Sequence, residues 1–423
     1  MAMACAAAIV ACSLLLIATN SSLVGDGSYY LLRAIQTGQP FQLSGRQGIN
    51  FLREGPLLLA RDHGVTNTHL LAVVEGIGFI LFPALVWVLA IVLARGSRLR
   101  FAVVAISCGL TFATTITFSA SELTLALPLV VLASVLLTQP RPWTVPSAAL
   151  VVVSTGLLFF SHESIVPCAA MLAVMAIHRL TTGVTTRDTA VSIVALALSI
   201  ADLLGALWTL VFWPNRNSST FSNFSQSIAL LTLGAICLIG WSVLFGRMQG
   251  AEWVRWLLLA GATLLTLLGI GSGIHAGAHA AYDSRGFSLV VIVMSQVVLF
   301  ADRARLRRES QNGRRIQLSK GAARGATGFL VAVMILPTAC ALQWSIVLSD
   351  FESTVTNRTG LVPSAEVATP TSEGYLWSWT NTTLSVLTRS STSDAVVENT
   401  GRLEPFPIGE AEQQLPAKYR WTN

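Results

Sequence analysis

Apolar runs of about 20 residues recur along this chain, and they limit its fold more than any other sequence feature. A run of that length crosses the roughly 30 Å of hydrocarbon in a bilayer as an α-helix. Inside a bilayer, backbone N–H and C=O groups have no water to bind, so each run must satisfy them as a helix. With 53% hydrophobic and 11% charged residues, the chain has too little polar surface for a water-soluble protein of 423 residues.

We therefore predict an all-α polytopic membrane protein with about 11 transmembrane helices. The predicted spans cover residues 3–24, 69–94, 100–119, 122–139, 145–161, 164–180, 189–213, 225–246, 252–273, 286–302 and 327–349. Residues 1–349 form the transmembrane bundle in this interpretation. Residues 350–423, rich in Ser, Thr, Asn, Glu and Pro, form a small extracytoplasmic C-terminal domain of mixed α and β structure. Its segments YLWSWTNTTLSVL and DAVVEN are predicted to form short strands, or a strand and a helix.

Lys and Arg are distributed unequally between the two sides of the predicted bundle. Basic residues in short loops stay in the cytoplasm, and 16 of the 27 Lys and Arg fall on one side. We therefore predict a cytoplasmic N-terminus, a basic cytoplasmic loop at residues 303–325 and an extracytoplasmic C-terminus. This orientation signal, with contact to anionic lipid, accounts for the net charge of +6, so we expect a lipid bilayer and no nucleic acid as partner.

The polar segment at residues 25–69 is the first outer loop of this topology. Within it, SYYLLRAI places Tyr29, Leu32 and Ile35 on one helical face, which predicts a short helix lying in the membrane interface. FLREGPLLLAR predicts a second short interfacial or re-entrant helix that is too short to span. Asp26 stands where the loop leaves the first span. We interpret the loop as the lid and floor of a site on the outer membrane face.

Two short outer turns carry further ionisable residues. Glu122 follows Ser119 at the spacing of a capping box, so it either starts a helix or takes part in a site. His162 and Glu163 are neighbours in the turn SHES, where they form either a solvated turn or a proton-handling pair.

The end of the ninth predicted span suggests a metal or phosphate site. His275, His279 and Asp283 are spaced at i, i+4 and i+8, which puts them on one stripe of a continuing helix. Two imidazoles and a carboxylate could hold a divalent cation, and a plain polar helix extension is the alternative. Arg285 suits bidentate contact with a phosphate or anchoring at the membrane surface.

Aromatic residues alternate in the C-terminal tail. Tyr375, Trp377 and Trp379 would share one face of a strand. Such a face could stack on sugar rings or pack the tail onto the bundle.

In these features the chain resembles the GT-C class of membrane glycosyltransferases, which use polyprenyl-phosphate-linked sugars on the outer membrane face. The resemblance covers the multi-span bundle, the long first outer loop, the polar domain after the last span, and an acidic residue just after the first span, Asp26 in VGDGSYY. Gly27 stands where the class usually has a second acidic residue. The tail segment YLWSWTNTTLSVL is also similar to bacterial membrane proteins without an assigned function, which implies a divergent branch in the bacterial plasma membrane.

The resemblance implies transfer of a sugar from a polyprenyl-phosphate donor to a glycan or lipid acceptor of the cell envelope. Asp26 would deprotonate the acceptor hydroxyl, and His162 and Glu163 would orient the acceptor or serve as the base instead. Arg285, with Arg61, would neutralise the leaving phosphate. The implied substrate-binding residues are Arg61, Glu122, Arg285, Trp377 and Trp379.

Two other functions fit the same sequence. A transporter or flippase would use Glu75 and Asp202, because an ionisable residue within a span is costly and usually faces the bundle interior. A non-catalytic scaffold for envelope polysaccharide assembly would use the tail to bind a partner. The sequence has no P-loop, no Rossmann glycine pattern and no G-x-S-x-G elbow, so the common soluble chemistries are unsupported.

Overall fold

A computed structural model describes residues 1–40, 47–116, 122–159, 161–182, 185–212, 288–304 and 318–367, with most of 372–398 and 415–422. These parts of the chain are mostly helical and contain two short strands. The predicted spans at 225–246 and 252–273 lie outside the described residues.

Thirteen helices of the described chain precede the tail. They are α1 (Ala2–Ala18), α2 (Gly27–Thr37), α3 (Gln47–Asp62), α4 (Thr68–Gly76), α5 (Phe82–Ala94), α6 (Arg98–Ile116), α7 (Leu123–Leu137), α8 (Val145–Gly156), α9 (Val166–Thr182), α10 (Thr186–Phe212), α11 (288–304), α12 (Lys320–Val333) and α13 (Ile335–Thr356). A π-helix, Ile77–Leu81, joins α4 to α5, and 3₁₀ turns at Ser21–Leu23 and Glu163–Ile165 precede α2 and α9.

Four helical stretches among the described residues are long and apolar enough to cross a membrane. They are Thr68–Ala94, Glu163–Thr182, Thr186–Thr209 and Lys320–Thr356. Helices α1, α7 and α8 are apolar but shorter. Large apolar side chains such as Leu204, Trp208 and Ile346 are exposed on α10 and α13, as expected for a surface in contact with lipid. The prediction of a helical membrane protein is confirmed to this extent.

Buried polar side chains join α11 to its neighbours inside the bundle. The hydroxyls of Ser107 on α6 and Ser295 on α11 lie 2.5 Å apart. Gln296 donates to the Ser134 hydroxyl on α7 and to the Cys168 carbonyl on α9, each at 3.2 Å. Interhelical hydrogen bonds of this kind help to hold helices in register where lipid supplies no hydrophobic driving force.

A buried arginine connects helices at the predicted cytoplasmic end of the bundle. Arg179 on α9 contacts Asp188 on α10 at 3.2 Å and donates to the carbonyls of Gln139 and Arg141 beyond the end of α7. Its guanidinium carbon lies 4.5 Å from the centre of the Trp143 ring. The loop between α7 and α8 is therefore fixed to α9 and α10 by one side chain.

The chain leaves the first span earlier than predicted. Helix α1 ends at Ala18 and not near residue 24, because Asn20 takes a left-handed backbone conformation with φ of 52°. The Thr19 hydroxyl donates to the carbonyls of Leu15 and Leu16 and so satisfies part of the helix end. The 3₁₀ turn Ser21–Leu23 follows, and α2 begins four residues after it, at Gly27.

The tail consists of β1 (Leu361–Val362), α14 (Ser364–Val367), α15 (Asn381–Thr388) and β2 (Val396–Val397), with β1 and β2 paired in parallel. The strand within DAVVEN is confirmed by β2. The prediction of a strand that carries Tyr375 and Trp377 is wrong, because neither residue is in a strand and both rings are buried against the bundle. All eight residues of α15 are buried, so this helix packs on every side.

The tail shares one hydrophobic core with the described part of the predicted first outer loop. That core joins apolar residues of α2 and α3, the start of α4 and the middle of α13 with tail residues such as Trp377, Leu384 and Trp421. Helix α13 continues past the predicted domain boundary at residue 350 and ends at Thr356. The tail therefore packs onto the bundle.

The last described residues bind the segment between α3 and α4. The amide of Thr68 donates to the Arg420 carbonyl at 2.8 Å, and the Asn67 side chain donates to the Thr422 carbonyl at 2.9 Å. The rings of His69 and Trp421 meet edge to face with centroids 4.9 Å apart. Asn67 caps α4 by accepting from the amide of Leu70.

Candidate functional site

Asp26 lies in a tight turn that two glycines make possible. Gly25 has φ of +60°, and the Trp377 ring lies against it, so that a β-carbon there would be 2.6 Å from the ring. A β-carbon on Gly27 would be 1.6 Å from the Ser22 carbonyl oxygen. The turn therefore requires glycine on both sides of Asp26. The contact of Gly27 with the Ser22 carbonyl leaves no room for an acidic side chain at residue 27.

The Asp26 turn is also held by hydrogen bonds from two distant parts of the chain. The Ser28 hydroxyl lies 2.9 Å from that of Thr383 on α15. The Trp344 indole on α13 donates to the Asn20 carbonyl at 3.0 Å. Asp26 itself is 8% exposed and immediately precedes α2.

Five ionisable side chains meet in the interior beside this turn, and we call them the buried cluster. They come from α2, α3, α4 and the residue before α7 and are Tyr30, Arg53, Glu54, Glu75 and Glu122. Each is at most 3% exposed. The Tyr30 hydroxyl donates to Glu122 Oε1 at 3.4 Å. Tyr30 also donates its amide to the Asp26 carbonyl at 3.0 Å, so Asp26 and the cluster are one helical turn apart.

The π-helix packs against the buried cluster. The guanidinium carbon of Arg53 lies 3.8 Å from the centre of the Phe79 ring, and the Tyr30 ring lies 6.0 Å from the same ring. Gly78 packs against the Arg53 backbone so closely that a β-carbon would be 1.6 Å from its carbonyl oxygen. A π-helical turn in an α-helix frequently marks a functional site.

The charge of Arg53 is balanced by the acidic members of the buried cluster. Burial lowers the pKa of Arg53, and the neighbouring Glu122, Tyr30, Glu54 and Glu75 oppose that effect. Its side chain also donates to Asn50 at 3.3 Å. Since arginine stays protonated inside proteins, Arg53 is a fixed positive charge surrounded by carboxyl groups.

His162 directly precedes, and Glu163 begins, the 3₁₀ turn that packs against α9 and α10. Both side chains are buried, and His162 Nδ1 lies 3.7 Å from Glu163 Oε2. The same Nδ1 accepts from the Ser164 amide at 3.1 Å. A ring nitrogen that accepts carries no proton, so this geometry describes a neutral imidazole beside a carboxyl group.

Arg61 holds the end of a helix. Its Nε donates to the Ile35 carbonyl at 2.9 Å near the end of α2, and Nη1 contacts Asp62 at 2.9 Å. A β-carbon on Gly38, just after α2, would be 2.5 Å from the same guanidinium. Arg61 therefore ties α3 to the C-terminal end of α2.

The structure places the other predicted site residues as follows. Glu122 precedes α7 and belongs to the buried cluster, and Trp377 covers Gly25 beside Asp26. The remaining predicted residues lie outside the described part of the chain: Arg285, Trp379, His275, His279 and Asp283. Within the described ranges, no three His, Cys, Asp or Glu side chains form a group that could hold a metal ion.

Arg53 and Glu54 belong to the predicted polar outer loop, yet both are buried. A signal for their burial is present in α3, where Asn50, Arg53, Glu54 and Leu57 are spaced at i, i+3, i+4 and i+7 and share one helical face. All four are buried. A polar stripe flanked by apolar residues can face a bundle interior as well as water.

No protein-family model, no curated protein and no solved structure matches this chain.

Proposed function

We propose that this protein is a membrane glycosyltransferase that transfers a sugar from a polyprenyl-phosphate donor to an envelope glycan or lipid acceptor. The observation that carries the proposal is the placement of Asp26. Asp26 lies between the 3₁₀ turn Ser21–Leu23 and α2, and both flanking residues must be glycine for this turn to form. A tight turn built around one carboxylate, and closed by a distant part of the chain, is expected of a positioned catalytic group.

In this proposal Asp26 is the general base for the acceptor hydroxyl. A general base must come within hydrogen-bond reach of the proton it removes, and partial burial tunes its basicity. The 8% exposure of Asp26 fits a carboxyl that an acceptor could reach after a small opening of the tail contact. Trp377, which packs beside it, would lie against a sugar ring bound at the turn.

Arg285 is the proposed residue for the leaving phosphate, where negative charge develops. Arg61 is less suited to this role, because its guanidinium already binds the Ile35 carbonyl and Asp62. His162 and Glu163 would act on the acceptor from the turn before α9. In the same proposal, His275, His279 and Asp283 are the ligands of a divalent cation.

The proposed topology has eleven spans, a cytoplasmic N-terminus and an extracytoplasmic C-terminus in a bacterial plasma membrane. The apolar helices described above support the membrane location. The basic loop at 303–325 supports the orientation, since it carries eight of the 27 Lys and Arg. The Asp26 turn and the tail would then share the outer face, as their contact requires.

The test is the isosteric variant Asp26→Asn in protein reconstituted into lipid nanodiscs, with a panel of polyprenyl-phosphate sugars and envelope lipid acceptors. Loss of the base should lower transfer about 100-fold or more, without a change in thermal unfolding. Asp62→Asn, at an exposed carboxyl of the same loop, is the matched control and should retain activity. Transfer by Asp26→Asn at the wild-type rate would reject the catalytic role.

A transporter or flippase is the second candidate function, and one observation favours it. Asp202 on α10 is 2% exposed, and neither of its oxygens has a hydrogen-bond partner among the described residues. Ionisable side chains buried within a span often mark the path of a transported ion. Substrate uptake into proteoliposomes that is abolished by Asp202→Asn but unaffected by Asp26→Asn would support this function.

A further inference from the structure

Helix α3 has its polar side chains inside the protein and apolar side chains on its exposed surface. Between residues 48 and 60 the polar side chains are Asn50, Arg53 and Glu54, and each is at most 1% exposed. The side chains of Phe51 and Leu59 are 68% and 62% exposed. All other exposed or half-exposed residues of this range are apolar or glycine. A helix on a water-facing surface has the opposite arrangement, so the exposed face of α3 fits contact with lipid.

Helices α3 and α4 form an antiparallel hairpin. A loop of five residues connects Asp62 at the end of α3 to Thr68 at the start of α4. Further from this loop, the backbone of Arg53 packs so closely on Gly78 that a β-carbon there would be 1.6 Å from the Arg53 carbonyl oxygen. Arg53 is nine residues from Asp62, and Gly78 is ten residues from Thr68. The two arms therefore run side by side over about 14–15 Å at the helical rise per residue.

The contact with Gly78 places the middle of α3 within the thickness of the bilayer. The apolar stretch Thr68–Ala94 is about 40 Å long as a helix, which exceeds the roughly 30 Å of hydrocarbon. The exposed Arg95 follows this stretch at its predicted cytoplasmic end. Gly78 lies about 24 Å from Ala94 along the helix, so it lies in the hydrocarbon when the helix stands upright. A tilted helix would place Gly78 deeper still.

The polar face of α3 is not available to water. An amphipathic helix that lies flat in the membrane interface turns its polar face to water. In α3 that face is covered by α2, α4 and the π-helix. Only the last turn of α3, with Arg61 and Asp62, has polar side chains that reach the surface. These two residues belong to the end of α3 that lies beside the start of α4, where the headgroup layer is expected.

We propose that α3 is one arm of a re-entrant helical hairpin and that its exposed apolar face, which includes Phe51 and Leu59, contacts the acyl chains of outer-leaflet lipid. Depth in the bilayer increases from Asp62 through Leu59 to Phe51, which lies about 16 Å further along the helix than Asp62. This face continues the lipid-facing surface of the bundle, because α3 packs on the span that begins at Thr68. The hairpin is independent of any sugar-transfer reaction.

The experiment is spin-label electron paramagnetic resonance of the full chain in lipid nanodiscs, with one label each on Phe51→Cys, Leu59→Cys and Asp62→Cys. Oxygen concentrates in hydrocarbon and the nickel chelate NiEDDA in water, so the ratio of their collision rates with the label measures its depth. The oxygen-to-NiEDDA ratio should be highest at residue 51, intermediate at residue 59 and several-fold lower at residue 62. Asp62→Cys is the matched control, because this exposed carboxyl belongs to the same helix. Wild type is the labelling blank, since its described cysteines are all buried.

Three results would overturn the proposal. Collisions with NiEDDA as frequent at residue 51 as at residue 62 would show that water covers the face. Equal oxygen-to-NiEDDA ratios at residues 51 and 59 would show that α3 lies flat in the interface. Low collision rates with both reagents at these two residues would show that protein, such as a second copy of the chain, covers the face. If the label at residue 51 prevents folding, Gly48→Cys, exposed one turn closer to the start of α3, tests the same deep end.

Discussion

The ring of Trp377 lies directly on the backbone of Gly25, with ring atoms 2.6 to 2.8 Å from the position that a β-carbon would take. Gly25 also has a left-handed backbone with φ of +60°. Residue 25 therefore meets two separate requirements: a conformation that favours glycine, and room for an aromatic ring from the tail.

A comparison of two alanine variants separates these requirements. Gly64 has φ of +86°, and a β-carbon added there would have no atom within 4 Å, so Gly64→Ala should cost only about 1–2 kcal/mol of unfolding free energy. Gly25→Ala should lower the unfolding free energy clearly more than Gly64→Ala does, because it also displaces the Trp377 ring. Thermal unfolding in detergent measures both. Equal losses of unfolding free energy in the two variants would show that the Trp377 ring contact contributes nothing to stability.

Gly78→Ala should separate α3 from the π-helix. A β-carbon there would be 1.6 Å from the Arg53 carbonyl oxygen, and backbone atoms cannot yield as a flexible side chain does. We expect a large loss of thermal stability and faster proteolysis of the first outer loop. Gly55→Ala, in α3 with open space around it, should instead stabilise by up to about 1 kcal/mol. Unchanged proteolysis in Gly78→Ala would contradict the packing described here.

Removing one partner of the buried ion pair between Arg179 and Asp188 should lower the unfolding free energy substantially. Asp188 also accepts from the Trp143 amide at 3.0 Å, so Asp188→Asn leaves a buried guanidinium without its counter-charge. We expect a loss of about 3–5 kcal/mol, measured by chemical unfolding in detergent. Arg95→Gln, at an exposed arginine, is the control and should change stability little. A loss below about 1 kcal/mol for Asp188→Asn would mean that the carbonyl contacts alone hold Arg179.

Alkaline pH should weaken the attachment of the tail. The Tyr375 hydroxyl donates to Gln343 Oε1 at 3.2 Å, and burial raises the pKa of Tyr375 well above its ordinary value. The unfolded state then loses this proton first, so the stabilisation is complete below about pH 10 and is lost as pH rises further. The unfolding temperature should fall less steeply with alkaline pH in Tyr375→Phe than in wild type. Parallel slopes in the two proteins would exclude Tyr375 as the cause.

The helical membrane architecture could be predicted because its signal is local. A run of apolar residues as long as Thr68–Ala94 has one stable structure in a bilayer, whatever its neighbours. The early end of α1 at Ala18 could not be predicted, because Leu23 and Val24 are apolar but pack against the tail and outer-loop core and not in the membrane.

The candidate site depends on contacts that local patterns do not contain. The position of Asp26 after the first apolar run is visible in the sequence, but the reason for Gly27 lies in its contact with the Ser22 carbonyl. Residues 381–388 have the β-branched composition of a strand, yet they form a helix because the surrounding core covers all of its faces. Tertiary contact therefore overrides propensity in the tail.

The contact between Ser28 and Thr383 joins residues 355 positions apart, as does the bond from Asn67 to Thr422. At a synthesis rate of about 5–20 residues per second, the first outer loop waits roughly 20–70 s on the ribosome before its partner segment exists. During that time the apolar faces of α2 and α3 lack their final cover, and the nascent loop is open to chaperones or to the headgroup layer. Maturation of Asp26's surroundings is thus a late event in biogenesis, completed only after the last span has been inserted.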